Sequence, residues 1–190
     1  MNVGLFTWFR DVMKTQFSYS LWLQSARQHE IDVKKKIAAF IGEFDLQMEQ
    51  IENIYTLLEK RLVVLEKGGI GPEIVESTGY WLHNLYCAFE DLFKLVTGFW
   101  ENNVQTDGEF HIHLLKRMLV RVEGIRPALL SEESYRCLNE VRGFRHAFRH
   151  AYSYGLDEER VVFLLRRVLG KRDMVMTDLK RFRKFISVIK

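Results

Sequence analysis

The chain has 190 residues, 47% of them hydrophobic, enough for one sizeable core and one domain by default. Only two prolines and few turn dipeptides argue against an all-β fold built on tight turns. The net charge of +3 is uneven: residues 141–190 hold 13 Lys/Arg against 5 Asp/Glu, so a basic segment sits on an acidic body. That pattern suits a polyanionic ligand, since neutralising phosphates releases counterions, and it equally suits solvated cationic helix faces.

Residues 1–28 read as an N-terminal extension, with Phe6, Phe9, Met13 and Phe17 at the spacing of a short amphipathic helix. The helical domain is expected over residues 29–190. From about Glu30 to Lys67, Val33, Ile37, Phe40, Phe44, Met48, Ile51, Ile54, Leu58, Leu62 and Leu65 recur at three- and four-residue steps, the period of a helix facing a core. Gly68, Gly69, Gly71 and Pro72 end it. A second helix is predicted over about Glu73 to Glu101, burying Tyr80, Trp81, Leu85, Phe89, Leu92, Phe93, Val96 and Phe99. A third is predicted over about Glu109 to Glu123, broken at Gly124 to Pro127. Ser131 is the expected N-cap of a fourth, which has Glu132 and Glu133 in its dipole-favoured first turn and ends near Gly155. Two more follow, over about Leu156 to Leu169 and Met174 to Ile189. No β-type alternation competes, so the fold expected is an all-α antiparallel helical bundle.

Cys87 and Cys137 make neither a disulfide framework nor a zinc ligand set, and both read as small buried hydrophobes. No run of about 18 apolar residues is present, so no membrane span is expected. The aromatic N-terminus is interrupted by Arg10, Asp11 and Lys14 and lacks the order of a secretory signal; the expected compartment is the cytoplasm. His111 and His113 point about 160° apart on a helix and cannot chelate one metal, and no metal or other cofactor is expected.

The chemistry-bearing stretch is Val141 to Tyr152. On a helix, Arg142, Arg145, His146 and Arg149 share one face, with Phe144 and Phe148 on the opposite, core-facing side. Clustered arginines repel one another unless an anion or acidic neighbours accept them, and Glu90 or Asp91 of the second helix are the candidate acidic partners. The functional reading is an anion site; the structural one is an ion-pair network, and composition alone leaves both open. An arginine and a histidine together offer a phosphate-binding fork of donors and a ring that moves protons near neutral pH.

The order Arg145, four residues, His150, one residue, Tyr152 resembles the signature of the HEPN superfamily, specifically the HepT-like ribonuclease toxins. His146 stands directly after the motif arginine, where family members place Asn, Asp or His. Only Arg145 with His150 satisfies the spacing. The stretches Ile125 to Glu133, His113 to Met118 and Tyr80 to Lys94 look like the corresponding family segments, and the likeness covers roughly Val33 to the C-terminus.

That resemblance implies a HEPN-like fold and a metal-independent endoribonuclease. Arg145 and His150 would be catalytic, and His146, Arg142 and Arg149 supporting. It also implies a homodimer with the motif at its interface, which answers a geometric difficulty. At about 100° per residue, positions 145 and 150 lie about 140° apart around a regular helix, so either the helix end is distorted or a second copy completes the site. Tyr152, only about 20° from Arg145 in projection, would be the tyrosine that a nucleotidyltransferase antitoxin modifies with AMP in type VII (HepT/MntA-like) toxin–antitoxin systems. The expected partners are therefore RNA, a second copy and such an antitoxin, with no membrane. The rival readings are a non-catalytic helical module binding nucleotide, RNA or a nucleotidyltransferase, and a structural bundle with buried ion pairs.

Overall fold

The computed structural model describes residues 3–68, 71–101, 110–150 and 155–189, with side chains from residue 22 onward except 110–112, 146, 149 and 150. Among these residues it is an all-α bundle of α1 (Val3–Glu66), α2 (Pro72–Glu101), α3 (Phe110–Arg117), α4 (Glu132–His150), α5 (Glu158–Gly170) and α6 (Arg172–Val188). One isolated antiparallel bridge, Val122 with Arg126, is its sole β-type pairing.

The first helix begins earlier than the periodicity predicts, at Val3 rather than near Glu30. Residues 3 to 66 contain no proline and no glycine pair, so nothing in them stops a helix. Pairs one turn apart, Gln28 with Asp32 and Lys34 with Glu30, support it through the expected boundary at 28/29. By compactness the chain divides into Met1–Ala39 and Phe40–Ile189, and α1 contributes to both units. In the first unit Trp22, Ile31 and Val33 are exposed.

The second unit carries the core. Gln47 donates to the Ala88 carbonyl and Arg61 to the Ser77 hydroxyl; as one index rises the other falls, so α1 and α2 run antiparallel. The same logic applies to α1 and α6, where Asp45 pairs with Arg183 and Glu59 with Arg172. Between these helices lies an apolar interior of Phe44, Ile51, Tyr55, Leu58, Phe89, Phe93, Leu179 and Phe182, all essentially without solvent contact. Its rings meet edge to face, as Tyr55 with Phe89, and stacked, as Phe44 with Phe182.

In α2 the buried face is broader than predicted. Tyr80 and Phe99 are exposed, whereas Thr78, Gly79, Leu82, Tyr86, Glu90 and Thr97 are buried. The reason is that α2 packs against α3, α4 and α5 as well as α1, so no single stripe describes it. Cys137 is buried as expected, but Cys87 is only half-buried and lies 3.5 Å from the His83 ring.

The third helix stops at Arg117, short of the predicted Glu123. Beyond it the bonds tighten to three-residue steps at Met118 and Leu119, and Gly124 turns the chain with φ 71°. The cause is Arg126. Its wholly buried guanidinium pairs with Glu101 and donates to the carbonyls of Pro127, Arg117 and Val120, the last two of which a longer helix would have used. Ser131 then caps α4, accepting from the Ser134 N–H at 3.3 Å, while Asp178 of α6 accepts from the Ser131 N–H and the Ser134 hydroxyl. Asp157 caps α5 in the same way.

Burial raises the phenols of Tyr55 and Tyr86 above their ordinary value and pushes the Cys137 thiol up to about 11. The unfolded chain releases these protons near the ordinary 9.0 for the thiol and 10.0 for the phenols, and the folded chain holds them. Stability from these groups is therefore complete below about pH 9 and drains as pH rises. Thermal melts at pH 7 and pH 10.5 should show a clear drop at the higher value, and an unchanged midpoint would contradict the burial of these groups.

Candidate functional site

The site is built where the C-terminal half of α4 crosses α2. The two helices run antiparallel here, since Arg145 meets Glu90 while Phe148 meets His83 seven residues earlier. The amphipathic pattern of α4 sets the contact: Val141 and Phe144 are buried, and the Phe148 ring lies tilted against Phe144, centres 5.9 Å apart. With its apolar side committed to the core, α4 carries Arg142 and Arg145 at partly exposed positions beside it.

Arg145 is mostly covered, its side chain 16% exposed, and its Nη2 stands 3.3 Å from Glu90 Oε2. Glu90 is itself only 2% exposed. The guanidinium lies over the Tyr86 ring, 5.7 Å from its centre. It also reaches Cys87, whose thiol burial pushes up while the charge and hydrogen bond of Arg145 draw it partly back. Thus a carboxylate, a phenol face and a thiol on one helix fix one guanidinium. A buried charge of this kind persists only when paired, and Glu90 supplies the pairing. Arg145 Nε has no hydrogen-bond partner among the described residues, so the pairing leaves donor capacity on the group.

Arg142, one turn earlier, is half-buried and donates from Nε to the Asn139 side chain at 3.0 Å. Asp91, the other carboxylate considered, is exposed and pairs with Lys94 on its own helix. His146, Arg149 and His150 fall on α4, which is helical through His150, but their side chains lie outside the described residues, as does Tyr152 entirely. His113 is exposed, and the side chain of His111 lies outside the description. No group of three or more metal-ligating side chains occurs among the described residues. No helix searched is long and apolar enough to cross a membrane.

Sequence reasoning missed Gly79, His83, Tyr86 and Cys87, the α2 residues that meet α4. Their signal was present: with Glu90 they recur at steps of three and four along one helix face. The predicted stripe held at Leu85, Phe89, Leu92, Phe93 and Val96, which are buried, but it took in the exposed Tyr80 in place of these residues.

The fold is thus an all-α bundle whose fourth helix carries Arg145, seated on the buried Glu90 of the second. The family described as HepT-like protein matches residues 77–186, from the first turns of α2 into α6. The chain belongs to the HepT-like family of the HEPN superfamily. No curated protein and no solved structure matches it.

Proposed function

We propose that this protein is a metal-independent endoribonuclease that cuts RNA with Arg145 and His150 of two paired copies. The observation that carries the reading is Arg145, the one motif arginine with a histidine five positions on. It is held in a fixed, half-buried seat by Glu90 and Tyr86. Such a guanidinium is preorganised, so it loses little freedom on meeting a phosphate and stabilises the charge that grows there. His150 removes the proton from the ribose 2′-hydroxyl as its oxygen attacks the adjacent phosphorus. The phosphorus–5′-oxygen bond breaks, the leaving oxygen takes a proton from imidazolium, and the products are a cyclic phosphate and a 5′-hydroxyl end. Positions 145 and 150 lie about 140° apart around an unbroken helix, which supports a site completed by a second copy. Arg142 and Arg149 hold neighbouring phosphates, and His146 supplements the pair.

Under this reading the protein is a toxin, and a nucleotidyltransferase antitoxin restrains it by adding AMP to Tyr152, seven residues after Arg145 in sequence. The added phosphate competes with RNA for the guanidinium. The second reading, a silent module that binds nucleotide, RNA or a nucleotidyltransferase partner, draws on the same Glu90: a carboxylate already neutralising Arg145 leaves less positive charge to stabilise what grows on the phosphate during cleavage. Incubating purified protein with RNA in excess EDTA separates the two. Fragments ending in cyclic phosphate are the expected product, and intact RNA with measurable binding favours the silent module. Mass spectrometry after co-expression with the nucleotidyltransferase should find AMP on Tyr152; an unmodified Tyr152 counts against the restraint.

A further inference from the structure

We propose that Gly79 is a positioning residue for the motif, a bare point on α2 where the chain before and after His150 docks. Phe148 and Leu156 flank the stretch that carries His150 and Tyr152, eight residues apart in sequence, and both come to Gly79. A methyl group built there would stand 2.6 Å from Leu156 Cδ1 and 3.0 Å from Phe148 Cε2, closer than side chains normally approach. Gly79 is buried, and Phe148 is further confined by the His83 ring at 5.4 Å and Phe144 at 5.9 Å. The end of α4 that bears His150 is therefore indexed against α2, which about three turns further on carries Glu90, the carboxylate that seats Arg145. One helix thus sets the register of both motif residues.

The glycine has a cost that points to this use. Gly79 lies inside a 30-residue helix, where alanine is intrinsically the better residue. At Gly98, exposed on the same helix, an added Cβ meets nothing within 4 Å. Gly98→Ala should raise the melting temperature and leave the site alone. Gly79→Ala carries the same gain in propensity, so any damage it does comes from displacing Phe148 and Leu156.

This inference rests on the proposed nuclease for its activity readout, and a second readout stands apart from it. The six histidines give ring resonances few enough to assign by substitution, and His150 is the reporter. Gly79→Ala should shift the His150 ring resonance while those of His29 and His113 stay in place. It should lower kcat for RNA cleavage on the order of 10–100-fold, with KM little changed, because a small misplacement of a reacting group is costly. Adding Leu156→Ala removes the nearest clashing atom and should restore the resonance and most of the rate. An unmoved His150 resonance in Gly79→Ala overturns the proposal, as does a double variant no better than the single one. Should Gly79→Ala fail to fold, the same double variant decides, since relief of the clash must then recover a folded protein. If wild-type protein leaves RNA intact, the nuclease reading falls and the resonance alone judges Gly79.

Discussion

Replacing His150 with alanine should slow RNA cleavage about 10²–10⁴-fold, the span usually lost with a general acid–base group. The circular dichroism spectrum should not change, because Val141, Phe144 and Phe148 hold α4 on its apolar side. Arg145→Ala should produce a comparable loss, about 10²–10³-fold, with a different signature. It strips Glu90 of a partner in a nearly dry setting, so the melting temperature should fall along with the rate. Arg145→Lys should not rescue activity, since an ammonium is a point charge without the planar fork that grips phosphate. These outcomes divide the readings. Loss of rate without loss of stability at position 150 fits catalysis; loss of stability without loss of rate at position 145 fits an ion-pair network. A His150→Ala protein that cuts as fast as wild type ends the catalytic assignment.

Much of this architecture was legible because helix signals are local. Ser131 followed by Glu132 and Glu133 announces the start of α4, and the structure begins that helix at Glu132 with the Ser131 side chain capping it. The Gly68 and Pro72 punctuation likewise bounds α1 and α2, and the six helices lie in the expected order. What the sequence concealed depends on partners distant along the chain. The broad buried face of α2 follows from the helices around it, which no single-helix periodicity encodes. The early stop of α3 follows from Arg126, a charged residue that looks like a surface group until its side chain is seen to take three backbone carbonyls. The seat of Arg145 shows both cases at once. Glu90 was identifiable as an acid on a facing helix, whereas Tyr86 and Cys87 became part of the site only when the crossing of α2 and α4 fixed which face of α2 was involved.

Arg126→Ala should be the most damaging substitution away from the motif, costing about 3–5 kcal/mol, the usual range for removing one partner of a buried ion pair. The side chain is fully covered, Glu101 is nearly so, and Arg126 Nη2 reaches Glu101 Oε1 at 2.5 Å. Its loss would remove the buried partner of a carboxylate and the donors to the Val120 and Pro127 carbonyls at once. Arg117 also pairs with Glu101 but is substantially exposed, so it cannot take over the buried half of the contact. For a chain of this size the melting temperature should drop on the order of 10 °C. Arg126→Met combined with Glu101→Gln should cost less than Arg126→Ala alone, because it removes the buried charge together with its partner. Since Arg126 ties Glu101, at the C-terminal end of α2 and eleven residues beyond Glu90, to the α3–α4 connection, cleavage assayed well below the melting temperature should remain close to wild type. A large fall in rate at low temperature would instead place the α3–α4 junction among the elements that set the site.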